Sequence, residues 1–153
     1  MIARKLKEFL DQNQVKYITI THSPAYTAQE VAASAHVPGR HMAKTVIIHV
    51  AGRMAMAVLP ANRKIVLQDL MELTGNEEVR FATEMEFASR FPDCEVGAMP
   101  PFGSLYGMDV YVAPALAEDG RIAFNAGSHT EIIEMAYTDF ARLEKPRLMM
   151  FTT

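Results

Sequence analysis

The chain has 153 residues, with 15 Lys+Arg against 18 Asp+Glu, and 50% of its residues are hydrophobic. That composition excludes a disordered or collagen-like chain, fits one domain able to bury roughly two thirds of its unfolded surface, and with one cysteine, Cys94, excludes an internal disulfide. A net charge of −3 excludes a globally basic nucleic-acid binder. No stretch reaches the roughly 18 uncharged apolar residues of a membrane span, and Met1–Glu8 lacks the apolar segment of a secretory signal.

Ile2, Leu6, Phe9 and Leu10 recur at helical spacing, which predicts a helix over 2–12. Val15 to Thr21 alternates in β-rich residues and predicts a short strand. Thr27-Ala28-Gln29-Glu30 is a capping box that opens a helix over 31–35, and Val37-Pro38-Gly39 ends it. Lys44–Val50 is the clearest strand, because Thr45 to Ile48 is almost continuously β-branched. Ala51-Gly52 predicts a hairpin turn into a second strand over 53–59.

Ile65–Leu67 predicts a short strand, Gln68–Leu73 a helix closed by Gly75, and Val79–Phe81 another strand. Thr83 and Glu86 form a second capping box, for a helix toward Arg90. Gly97-Ala98-Met99-Pro100-Pro101-Phe102-Gly103 must be a loop, since its prolines and glycines disfavour regular structure. Strands are predicted over 108–112, 121–125 and 132–137, with a turn at Asp119-Gly120 and an irregular stretch over 126–130. Thr138 is predicted to cap a last helix through Leu143. These elements do not alternate strictly as βαβ, so the expected class is α+β, one domain over 1–153 around a mixed sheet.

Familiar sites are absent from this sequence: it has no P-loop, GxGxxG, HExxH, CxxC or GxSxG. His22, His36, His41, His49 and His129 form no tight ligand spacing with each other or with Cys94, so neither metal nor cofactor is expected. Cys94 lies between Asp93 and Glu95, whose charges disfavour a thiolate, and is read as structural. Ser128 adjoins His129, but neighbouring residues rarely orient as nucleophile and base. Two features remain. Lys44, at the mouth of an apolar strand, can offer its ammonium to an anion or simply be solvated. The Gly97–Gly103 loop can bring a backbone N–H close to a carbonyl oxygen, or be a surface turn.

Ala43-Lys44-Thr45-Val46-Ile47-Ile48, the Gly97–Gly103 loop, and Asn125-Ala126-Gly127-Ser128-His129-Thr130-Glu131 together resemble the YbaK-like family of aminoacyl-tRNA editing domains. His22-Ser23-Pro24-Ala25-Tyr26-Thr27 and Tyr137-Thr138-Asp139-Phe140 fit as well. The motifs run in the family's order over nearly the whole chain. The resemblance implies a curled mixed sheet flanked by helices, and hydrolysis of the ester joining a wrong amino acid to a tRNA 3′ end. It implies that Lys44 holds the terminal nucleotide near its phosphate. It implies that Gly97 opens the GxxxP loop that Pro101 completes and that positions the substrate carbonyl, and that His129 lines the amino-acid pocket.

Thr45, Phe102, Gly103, Gly127 and Ser128 are expected to bind substrate around them, and Met56 and Ile47 to stand near the pocket. The Gly-Ser-His form points toward the alanine-editing branch, with Ala-tRNA-Pro or another small amino acid on tRNA as the expected substrate; the Ala113-Pro114 that follows Val112 departs from the acidic residue family members often carry there. The expected partner is the tRNA acceptor end, with a synthetase as a further partner, and neither membrane nor DNA; the expected location is the cytoplasm. Arg40, Arg53, Arg63 and Lys64 are candidates for a basic patch beside Lys44. The competing expectations are a module of the same fold that binds an aminoacylated end, or a small amino-acid ligand, without turnover, and a metal-dependent hydrolase.

Overall fold

The computed structural model describes residues 2–118 and 120–153. The predicted turn at Asp119-Gly120 therefore lies partly outside the described residues. The chain runs α1 (Arg4–Gln12), β1 (Tyr17–Thr21), α2 (Ala28–Ser34), β2 (Met42–Val50), β3 (Arg53–Pro60), α3 (Leu67–Thr74), β4 (Val79–Phe81), α4 (Glu84–Phe87), β5 (Asp109–Val112), β6 (Arg121–Ser128), β7 (Glu131–Ala136), α5 (Tyr137–Glu144) and β8 (Arg147–Leu148). The class is α+β with a mixed sheet, as expected. The strand order is β1-β7-β6-β2-β3-β5-β8, with β4 added beside β2.

The local chemistry explains most boundaries. The Thr27 hydroxyl accepts from the Glu30 N–H at 3.1 Å and starts α2. Thr83 and Glu86 complete a reciprocal capping box at α4. Gly75 ends α3 at φ 70, and the β2–β3 hairpin turns through Ala51 and Gly52 at φ 51 and 81, the pair of positive values a tight two-residue hairpin requires.

Two boundaries differ from the sequence reading, and the tail, which that reading left unassigned, adds a strand. Ile65 makes only an isolated bridge to Thr152, because the chain turns directly into α3. The final helix starts at Tyr137 with Ala136 at its cap, so Thr138 does not cap it; Tyr137 is drawn inward against Phe140, ring centroids 5.7 Å apart. The tail forms β8, parallel to β5, and buries Phe151.

Alternation divides the sheet into two faces. The inner face carries Ala43, Ile47, Met56, Val58, Val110, Phe124, Ala126 and Ile133, packed with Leu6 and Leu10 of α1, Phe140 of α5 and Phe102. Phe102 is fully buried and meets Phe9, Phe124 and Phe140 edge-on at 6.0, 5.4 and 5.4 Å. The outer face carries two smaller clusters. One lies with α3 and includes Ile48, Ala55, Ala57, Leu59 and Leu70. The other lies with α2 and includes Val31, Ala32, Met42, Ala123 and Ile132. Lys44 stands on this outer face, between Met42 of the second cluster and Val46 of the first.

Candidate functional site

The sheet forks at Lys44. β2 pairs in parallel with β6 only at Met42/Ala123 and Ala43/Phe124. Farther along, β4 takes the same edge of β2 at Ile48–Val50. Lys44 therefore begins the stretch where β6 has left and β4 has not arrived. Its ammonium leans the other way, over β3, to the Ala61 carbonyl at 3.5 Å. It lines a groove of about 450 Å³ with Thr27, Ala28 and Gln29 of the α2 start and Ala61, Asn62, Arg63 and Lys64 of the loop after β3. Burial, and secondarily the charge of Lys64, push the Lys44 ammonium below its ordinary value. A desolvated cation beside a second cation favours an arriving anion.

A second cluster surrounds His129 at the β6–β7 turn. His129 Nε2 donates to the Val96 carbonyl at 2.9 Å, since a carbonyl only accepts, which leaves Nδ1 with a buried, unpartnered lone pair. The backbone N–H of His129 donates to Glu95 Oε2 at 3.1 Å. Gly97 is exposed at φ 87, and a Cβ there would lie 3.5 Å from the His129 ring, so the two residues are in contact range. The Gly97 N–H points to Met99 Sδ at 3.2 Å, a weak acceptor that a carbonyl oxygen outcompetes.

The Tyr26 ring packs against His129 with centroids 4.8 Å apart and stays 70% exposed. Tyr26 is followed directly by Thr27 of the Lys44 groove. Consecutive residues thus join the two clusters.

Residues 22–143 match the sequence profile of the aminoacyl-tRNA editing domain family. The chain belongs to that family. No curated protein matches it. Among solved structures, a hypothetical protein designated APE2540 is similar at 20% identity and a TM-score of 0.86, covering 98% of this chain and 100% of its own. A candidate trans-editing enzyme for prolyl-tRNA synthetase is similar at 17% identity and a TM-score of 0.80, covering 95% and 93%. A candidate signal-transduction protein from Marinobacter aquaeolei VT8 is similar at 18% identity and a TM-score of 0.76 over 97% of this chain but 30% of its own.

In this editing domain the other residues named from the sequence fall into four groups. Gly127 and Ser128 are buried beside His129. Gly127 N–H donates to Ala98 O at 3.0 Å, Glu95 N–H donates to Gly127 O at 2.8 Å, and Ser128 Oγ contacts Thr130 Oγ1 at 3.4 Å. Ser128 and His129 thus bond different partners and form no nucleophile–base pair. Strand β6 continues through Ser128 by means of a bulge between Asn125 and Ser128, where the sequence suggested only an irregular stretch.

Pro101, Phe102 and Gly103 are buried, Phe102 in the inner core and Gly103 so close to the next strand that an added Cβ would lie 2.3 Å from the Met108 carbonyl oxygen. They hold the loop rather than face the Lys44 groove. Thr45, Ile47 and Met56 are on the inner face, opposite Lys44, because side chains alternate. The basic patch contains Lys44, Arg63 and Lys64, whereas Arg53 lines a cavity at the far end of β2 with His49, Met54 and Arg90. The sequence named His22 and Asn125 only as members of the family motifs and gave neither a role of its own. Both are buried, and His22 Nε2 and Asn125 Oδ1 lack partners. Polar residues inside apolar, β-rich segments were the available signal.

Proposed function

We propose that the chain, 1–153, acts as one domain that hydrolyses the ester of a mischarged aminoacyl-tRNA, a small amino acid such as alanine on tRNA-Pro being the first candidate. The observation that carries this reading is the junction at Tyr26–Thr27. It sets a cationic groove suited to a terminal phosphate beside a glycine–histidine corner suited to an acyl group.

In this reading Lys44, with Arg63 and Lys64 near it, holds the phosphate of the terminal nucleotide. The ester carbonyl replaces Met99 Sδ on the Gly97 N–H, which polarises it. Water adds to the acyl carbon, the bond to the ribose oxygen breaks, and the water proton ends on that oxygen. The products are a free amino acid and tRNA with an intact terminal ribose. The His129 ring, held by the Val96 carbonyl and packed against Tyr26, walls the corner beside the acyl group. No protein nucleophile takes part, because an aminoacyl ester is already activated and positioning supplies much of the remaining barrier. The cytoplasm, where charged tRNA is used, is the proposed location, and a synthetase the proposed source of substrate.

A panel of mischarged tRNAs tests this by release of free amino acid. Lys44→Ala should lower kcat/KM roughly 10- to 100-fold, the worth of one charge-assisted contact, while Cys94→Ala keeps activity. Loss with Cys94→Ala and retention with Lys44→Ala would overturn these roles. Binding of every charged tRNA without release would replace the enzyme by a binding module.

A further inference from the structure

The loop that carries Gly97 is tied to β6 by its backbone. Glu95 N–H donates to Gly127 O at 2.8 Å, Gly127 N–H donates to Ala98 O at 3.0 Å, and Ala98 N–H turns back on Glu95 O at 3.0 Å. His129 closes the same turn: its Nε2 donates to the Val96 carbonyl and its N–H to Glu95 Oε2. Buried Ala98, Met99, Pro100 and Pro101 continue the loop into the core, and each proline fixes one φ. The direction of the Gly97 N–H is therefore set by the fold before any ligand arrives.

The acceptor on that N–H differs from its neighbours. The other bonds of the turn end on oxygen, whereas this one ends on the thioether Sδ of Met99, two residues along the chain, at 3.2 Å. A thioether is a weak acceptor. Met99 is 5% exposed and packs in the inner cluster, while Gly97 is exposed. The sulfur thus reaches the donor from the core, and the donor's residue opens outward. An unbranched side chain can withdraw by turning its last torsions, which no backbone acceptor in this turn can do.

Resting on the reading of this site as a deacylase, we propose that Met99 is a positioning residue whose sulfur holds the Gly97 N–H in the resting site and yields it to the ester carbonyl. The contact competes with substrate. A donor engaged for part of the time binds a carbonyl with an affinity reduced by its free fraction. The acceptor strength at position 99 therefore sets KM. It leaves the bond-breaking step alone, since the sulfur has withdrawn before the carbonyl is in place.

The test measures kcat and KM, on the charged tRNA released fastest in the panel, for the full-length protein, Met99→Leu and Met99→Gln. Leucine keeps the volume and removes the acceptor; glutamine offers an amide oxygen. Met99→Leu should lower KM roughly two- to tenfold at unchanged kcat, the worth of one neutral hydrogen bond, and Met99→Gln should raise KM by a similar factor. A side chain that only fills the core gives both variants the same sign, or changes in kcat that follow melting temperature. Either of these results, or an unchanged KM in both variants, overturns the proposal and leaves the deacylase reading standing. Release of no amino acid from any tRNA of the panel removes both.

Nuclear magnetic resonance of the unaltered protein gives a readout that needs neither variant nor turnover. The 5′-monophosphate of 3′-alanylamino-3′-deoxyadenosine carries an amide in place of the ester and resists hydrolysis. On titration the Gly97 amide and Met99 methyl signals should move with one midpoint, because one contact replaces the other. Binding seen at Lys44 that moves Gly97 without Met99, or moves neither, overturns the exchange. No shift of any signal counts against the deacylase reading and the exchange together.

Discussion

Gly127→Ala should detach the loop that carries Gly97 from the body of the domain. Gly127 sits at φ +102, a conformation that costs an L-residue roughly 1–3 kcal/mol. A Cβ there would lie 2.8 Å from Ala3 Cβ, 3.1 Å from Ala3 N and 3.3 Å from Ala3 Cα. Ala3 is the buried cap residue of α1, and its N–H donates to Ala126 O at 2.8 Å, so it cannot simply swing away. Overpacking of this kind costs about 1–3 kcal/mol. The sum, about 2–6 kcal/mol, corresponds to a fall in melting temperature on the order of 10 °C for a chain of this length.

The same residue bonds Ala98 and Glu95, so deacylation should fall in parallel. Urea unfolding of Gly127→Ala, Ala3→Gly and the double variant separates the two causes. Ala3→Gly removes the Cβ contact and leaves the φ strain, so the double variant should recover on the order of 1 kcal/mol relative to additivity. A loss under about 1 kcal/mol in Gly127→Ala, or strict additivity in the cycle, would refute the steric reasoning.

Burial, reinforced by Asp93 and opposed by the Tyr106 hydroxyl, pushes the Cys94 thiol up to about 11. At neutral pH a thiol reagent should therefore modify native protein far more slowly than unfolded protein, and Cys94→Ser should keep deacylation within about twofold; rapid native labelling contradicts this. Arg80, followed by the Thr83 N–H, holds the Glu86 carboxyl well below the ordinary value of 4.5. A carboxylate lowered in the fold contributes stability above its unfolded value, and that contribution is lost as pH falls through 4.5 toward the folded value. Acid unfolding followed by circular dichroism should accordingly be less steep in Glu86→Gln between about pH 5 and 3, and identical slopes would remove the linkage.

The sequence by itself determined the elements whose causes are local. Thr27 and Glu30, Thr83 and Glu86, Ala51-Gly52 and Gly75 mark their own caps and turns, because side chain and backbone there interact within four residues. The ordered motifs around Lys44, Gly97 and His129 also carried the family. The fork of the sheet is different in kind. It depends on β6 meeting β2 for two residues from some eighty positions away, which no local pattern encodes. Alternation along β2 puts Lys44 on one face and Thr45 and Ile47 on the other, but which face is covered by α1 and α5 and which by α2 and α3 depends on packing. Tyr137 begins a helix instead of ending a strand, and its N–H is held from outside its own segment by the Gly120 carbonyl at 2.9 Å. In the sequence His22 and Asn125 stood only as the first residues of two motifs. Only the packing of α2 over the sheet made them buried groups lacking a partner, since burial and pairing are properties of neighbours brought together by the fold.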